Sequence, residues 1–341
     1  MIDFRYHLVS LISVFLALAV GVVLGAGPLQ NSLGNALNDQ VTQLRQDRQS
    51  IQGRLENTEQ AVNERDAYIT QAANALLPTV LNGQKVALVT LPETDKQDLD
   101  SLGEQIKIAG GTVVTRVAMT SMWTDADKAS YRSSLAGQLA PYLPGVNVGE
   151  GNTALGAGLG KALTTDGEES TILLDLLSDS KAALVTVEEE QASTATMIVV
   201  VGPRAKDEPA VPTAPTTPRI DPSQWVSAVR GIVSKATTVA LGEAASPTGL
   251  VTLLRQEQAA VSTVDSVGQI AASTSTVLAL AAVSQGVIQD YGFDKGADAV
   301  IPAISGMAAV GPAQPTPGLP EPATEPTGQS GGQSAEQPTA G

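Results

Sequence analysis

Twenty consecutive residues, Leu8 to Gly27 (LVSLISVFLALAVGVVLGAG), carry no charge, and the next charged residue toward the C-terminus is Asp39. At helical rise such a stretch covers about 30 Å, the thickness of a hydrocarbon core, whereas the apolar region of a cleaved signal peptide runs to about 7–15 residues. The leader has one basic side chain, Arg5, partly offset by Asp3, and the best small-residue cleavage site, Gly25-Ala26-Gly27, is followed by Pro28. An uncleaved transmembrane helix over 8–27 is therefore expected, with a removed signal peptide as the alternative. Arg5 and His7 precede the span and an acidic chain follows it, so the basic-flank rule puts residues 1–7 in the cytoplasm and the bulk of the chain outside it. Ala17, Gly21 and Gly25 recur every four residues and would give this helix one face that another helix can approach closely; glycine is common in membrane helices, so ordinary composition also accounts for them.

The next segment, 29–77, is rich in Gln, Asn, Arg, Glu and Leu and has a countable register. With Val41, Arg48, Leu55, Val62, Ile69 and Leu76 at a, and Leu37, Leu44, Ile51, Thr58, Arg65 and Ala72 at d, nine of the twelve seam sites are apolar. Alternating spacings of three and four sustained over five heptads are the pattern of a coiled coil. Gly53 falls at an outward position, where it lowers helix propensity without opening the seam. Arg48, Thr58 and Arg65 weaken the pairing and restrict its register and partners. A parallel homodimer is expected, because two copies anchored side by side lose little further entropy on pairing. The alternative is an amphipathic helix packed on its own globular domain.

Beyond Asn82 the pattern changes to short apolar runs separated by helical stretches. KVALVTL (85–91), TVVTRV (112–117), TMIVVV (196–201), TTVAL (237–241) and VSTVDSV (261–267) read as strands. DKQDLDSLGEQIKIAGG reads as an amphipathic helix closed by Gly110 and Gly111, and the Ala-rich stretch 269–289 as another helix. Alternation of this kind predicts a mostly parallel sheet covered on both faces, a Rossmann-like or flavodoxin-like layered α/β domain over 79–310. Two helical segments without a strand lie between Leu155 and Leu177, the second with an expected capping box from Asp166 and Glu169. The proline-rich stretch 203–222 is expected to be an exposed loop, and the tail 311–341 to be disordered.

Little chemistry is visible. The chain has no cysteine and one histidine, His7, which removes disulfides, thiolate metal sites, His-Asp-Ser triads and HExxH zinc sites. With 20 basic residues against 35 acidic ones, it has no electrostatic footprint for nucleic acid. Gly156-Ala157-Gly158-Leu159-Gly160-Lys161 lacks phosphate-loop spacing and reads as a closely packed helix, and the first strand ends in Leu91-Pro92-Glu93-Thr94 without a glycine fingerprint. No cofactor is expected. Asp125 and Asp127, and Glu188 to Glu190, lack calcium-loop spacing and read as solvated surface. Met119, Met122, Met197 and Met307 are scattered for a copper site, and the first two read as core filler beside Trp123. No nucleophile stands with a base, so an enzyme is not expected.

The opening FRYHLVSLISVFLALAVGVVLGAGPL, the heptads after it and the ending YGFDKGADAVIPA (Tyr291 to Ala303) together resemble the actinobacterial MctB/SteB family of envelope proteins, over nearly the whole chain up to Ala303. Read from the residues alone, the ending is a sheet-edge turn with left-handed glycine at Gly292 or Gly296. The resemblance implies one of two functions. One is copper export, proposed to use an outer-membrane pore; the other is control of peptidoglycan hydrolysis during cell separation, with a SteA-like membrane protein and a peptidoglycan hydrolase as partners. A pore barrel needs many lipid-facing strands and aromatic girdles, and only seven aromatic residues follow Gly27. The expectation is therefore an anchored, dimeric envelope scaffold. Copper efflux and a small-ligand sensor at the carboxyl ends of the strands are the alternatives.

Overall fold

The computed structural model describes residues 4–26, 28–179, 182–205 and 221–303, with side-chain surroundings not described for Phe4 and 24–36. The tail expected to be disordered, most of the proline-rich loop, Gly27 and Met307 lie outside the described residues. The chain divides into two compact units, 1–72 and 73–341.

The first unit is helical. Helix α1 (Phe4–Ala26) is, among the described residues, the one helix long and apolar enough to cross a bilayer, and its described side chains are exposed. Helix α2 (Pro28–Leu76) has 49 residues, about 73 Å at 1.5 Å per residue.

The second unit is a seven-stranded α/β sandwich. Its elements are β1 (Lys85–Thr90), α3 (Lys96–Ile108), β2 (Thr112–Met119), α4 (Ala129–Leu139), α5 (Gly151–Thr164), α6 (Glu168–Leu177), β3 (Val185–Glu189), β4 (Met197–Val201), α7 (Ser223–Val233), β5 (Thr237–Leu241), α8 (Leu250–Gln256), β6 (Ser262–Val264), α9 (Ile270–Ser284) and β7 (Asp290–Tyr291). The sheet order is β3-β2-β1-β4-β5-β6-β7, parallel throughout except for β3, which runs antiparallel to β2.

Both faces are buried, which is why the strands read as continuous apolar runs. Val86 and Leu88 of β1, with Met197, Val199 and Val201 of β4, pack on α3, α9 and the chain around Ala73, Leu77 and Leu81. Ala87 and Val89, with Ile198 and Val200, face α4 to α8 on the other side. That second layer is held by a buried polar hub. The Arg132 guanidinium donates to the Asn152 side chain (2.9 Å) and to the Met122 (2.8 Å) and Asp125 (2.6 Å) carbonyls. Burial lowers its pKa, against the opposing pull of Asp125 and Asp221. Trp123 is fully buried and its Nε1 donates to the Leu184 carbonyl at 2.7 Å. Met119 beside it is core, and Met122 is partly buried.

Several details differ from the sequence reading. Helix α5 begins at Gly151, four residues before Leu155. Helix α6 has no Asp166/Glu169 capping box: Gly167 is its N-cap with φ 106°, a geometry that turns the Asp166 side chain away from the helix to take the Thr194 hydroxyl. Glu169 instead pairs with Lys161 at 2.6 Å. Strand β6 stops at Val264: the Asp265 amide still donates to the Tyr291 carbonyl at 3.0 Å, but Ser266, at φ 61°, turns the chain away. Helix α9 stops at Ser284, just before Gly286 at φ 83°.

Candidate functional site

Two places present themselves, one in each unit. In α2 every residue of the expected seam falls on one unbroken helix. Leu37, Val41, Leu44, Ile51, Leu55, Val62 and Leu76 are 37–66% exposed, Arg48, Thr58 and Arg65 are exposed, and Ile69 and Ala72 are half-buried. Two of the polar seam residues have local partners: the Thr58 hydroxyl donates to the Arg54 carbonyl (2.8 Å), and Arg65 sits 3.5 Å from Asp66. The stripe is thus apolar and uncovered in the single chain. In α1, Ala17 is exposed and a side chain added at Gly21 would meet nothing within 4 Å; the surroundings of Gly25 are not described.

In the second unit the order of strands reverses between β1 and β4, and in open α/β sheets the crevice outside the carboxyl ends at that point is the usual ligand position. A cleft of ≈ 660 Å³ lies there, walled by Leu91, Arg204, Trp225, Glu243, Pro247 and Leu250. Its two central charges are committed within the protein. Arg204 forks onto the buried Asp98 of α3, Nε to Oδ2 at 2.9 Å and Nη2 to Oδ1 at 2.6 Å. Glu243, just past β5, accepts the amides of Ala245 and Ser246 at 2.8 Å each and the Ser246 hydroxyl, and so shapes the loop that closes one wall. Glu93, just past β1, has φ 67°, an unusual backbone for a side chain of its size.

A second polar knot lies past β6. Asp265 is fully buried and its carboxylate is saturated. Arg255 Nη1 (3.0 Å), the Ser266 hydroxyl (2.8 Å) and the amides of Phe293 (2.8 Å) and Asp294 (3.1 Å) all donate to it. Arg255 also donates to Thr263 Oγ1 (2.9 Å) and to the Tyr291 carbonyl (2.9 Å). Gly292 lies against Asp265 at φ 134°, and a Cβ there would collide with the carboxylate. Gly296 also has a positive φ, 94°. The knot gives the 291–298 turn its physical basis: its glycines let the backbone wrap a buried anion. Burial raises the pKa of the neighbouring Asp290, against hydrogen bonding from Thr263 and attraction to Arg255; burial also raises that of Asp294, with repulsion from Asp265 adding to it.

The glycine run 156–160 serves packing. A Cβ at Gly156 would strike the Ala228 carbonyl of α7, and one at Gly231 of α7 would strike α5 in return, so the two helices meet backbone to backbone. Asp125 caps a short turn by accepting the Asp127 amide (2.9 Å), Glu188 to Glu190 are exposed, and Glu189 lies 3.4 Å from Arg116. Among the described residues no group of three or more His, Asp or Glu side chains could hold a metal ion. Met119 and Met197 are buried in the core, and His7 is exposed on α1.

Asp98, Arg204, Glu243, Arg255 and Asp265 were not singled out from sequence. A signal existed past three strand ends: Glu93 and Glu243 follow β1 and β5 by three and two residues at the crevice, and Asp265 directly follows β6 at the second knot.

Residues 1–302 match the family described as "Copper transport outer membrane protein, MctB". Proteins called "Copper transporter MctB" are similar over 196 residues. Those from Mycobacterium tuberculosis (strain ATCC 25618 / H37Rv) and Mycobacterium bovis are each 28% identical, the match covering 57% of this chain and 59% of theirs. The one from Mycobacterium leprae is 29% identical, covering 57% and 58%. The chain thus spans less than two thirds of the length of these relatives.

Proposed function

The chain belongs to the MctB family, and from that premise we propose that it is a single-pass envelope scaffold, N-terminus in the cytoplasm, which pairs through α2 and recruits or regulates a peptidoglycan hydrolase during cell separation. The observation that carries this reading is the heptad stripe of α2, exposed over most of its length from Leu37 to Leu76, on a chain that also has a helix long and apolar enough to cross a membrane. An apolar stripe of this length is costly in water, and a second helix of matching register removes that cost. The reading is compatible with the crevice charges, since Arg204 is held by Asp98 and Glu243 by the loop amides of Ala245 and Ser246.

Copper efflux is the second reading, favoured by the names of the family and its relatives. Copper as cargo asks for soft ligands, and here Met119 and Met197 are enclosed in the core. The seven-stranded sheet has helices on both faces, so a pore would have to come from α1 in a higher oligomer.

The test is a deletion strain carrying the full chain with Leu44→Asp, Ile51→Asp and Leu55→Asp. The scaffold reading expects loss of in-membrane crosslinked dimers and unseparated cells with reduced hydrolase activity, at unchanged copper content. Normal separation together with copper accumulation would instead establish the efflux reading.

A further inference from the structure

Helix α2 carries six charges on or beside its seam, and their positions are regular. In the register that places Arg48 at a and Arg65 at d, Asp47 and Arg54 fall at g, and Glu59 and Asp66 at e. Asp47, Arg48, Arg54, Glu59 and Arg65 are exposed, and Asp66 is half-buried. Charges on one helix support each other at spacings of three or four. None of these six has an opposite charge three or four positions away. Arg65 lies 3.5 Å from its immediate neighbour Asp66, and the two side chains keep 54% and 37% of their exposure.

A second α2 lying parallel and in register supplies the missing partners. In such a pair an a side chain enters a hole edged by the g residue that precedes the facing a, and a d side chain enters a hole edged by the e residue that follows the facing d. Arg48 then lies beside the partner's Asp47, and Arg65 beside the partner's Asp66. The g residue of one heptad also faces the e residue of the next across the seam, which sets Arg54 against the partner's Glu59. Each contact joins opposite charges, and symmetry repeats it. Other alignments lose this pattern. Slipping one copy by a heptad carries Arg48 beside the partner's Arg54, and reversing one copy, with Leu37 opposite Leu76, brings Arg48 against the partner's Arg65. Like charges then meet at the seam.

We propose that α2 is addressed to a second copy of this chain, parallel and in register, and that Arg48 and Arg65 select that alignment by meeting the partner's Asp47 and Asp66. This rests on the pairing through α2 proposed above, and adds the alignment and the side chains that set it.

The chain has no cysteine, so a single thiol reports alignment. In the full chain in detergent, Val41→Cys treated with diamide should give a dimer linked 41 to 41, whereas reversal would place the two thiols about 46 Å apart along the helix. In the cysteine-free chain, Asp47→Lys or Arg48→Glu alone should weaken dimerisation about ten-fold by sedimentation, since two pairs turn from attraction to repulsion. The two changes together should restore most of it, because the charges have only changed places. Dimers that are lost with Leu44→Asp, Ile51→Asp and Leu55→Asp, yet form no 41–41 link, ignore the single charge changes or are not restored by the double one, overturn the selected register and leave pairing through α2 standing. Absence of any dimer that depends on α2 overturns both.

Discussion

The two units use the same kind of residue in opposite ways. In α2, Leu44, Ile51 and Leu55 lie outside at 56–66% exposure, whereas in β1 and β4, Leu88, Val199 and Val200 are fully enclosed. A strand in a doubly covered sheet finds partners on both faces within its own chain. The α2 stripe, by contrast, lies exposed along most of its length. The core of the second unit is therefore closed within one chain, and the α2 stripe is open.

The contrast is broken most severely at the head's buried ion pair. Asp265→Ala removes the carboxylate on which Arg255, Ser266 and the Phe293 and Asp294 amides converge, and a buried pair broken on one side costs about 3–5 kcal/mol, read by denaturant unfolding of the full chain in detergent, with α2 helicity unchanged. A paired comparison sharpens it: Leu88→Ala should cost about 2–5 kcal/mol in the head, while Leu55→Ala should leave the head's unfolding free energy within about 0.5 kcal/mol and act only on crosslinked dimer yield.

A smaller effect is one of pH. Because the Asp290 pKa is raised on folding, the native state takes up this proton more readily than the unfolded one, so its contribution to stability falls as pH rises through that window. Asp290→Asn should therefore melt higher than the parent at pH 7, the gap closing as pH is lowered toward 4; a pH-independent gap would disprove the assignment. Least of all, Lys107→Ala, which removes an exposed pair with Glu104 at 3.8 Å, should change stability by less than about 0.5 kcal/mol.

How far the sequence could be read follows the same contrast. Strands β1 and β5 were visible as apolar runs because they are enclosed on both faces, and the twenty-residue span needed only its length and lack of charge. Strand β3 was invisible, since Val-Thr-Val-Glu-Glu sits at an edge and mixes buried with exposed positions, and β7 has two residues, too few for any period. The crevice was hidden for a different reason. Nothing periodic links Asp98 to Arg204, 106 positions apart, and only the fold makes them partners. The heptads could be counted, and α2 carries them on one continuous helix.

The backbone contact between α5 and α7 inverts a familiar engineering rule. Replacing helical glycine by alanine normally stiffens the unfolded chain and adds about 0.4–1 kcal/mol, and Gly53 and Gly137, with nothing within 4 Å, are open to that gain. At Gly156 and Gly231 even a methyl group would force the helices apart. Anyone hardening this protein for crystallisation or storage should treat those two sites as untouchable, and look for improvement where its helices face open space.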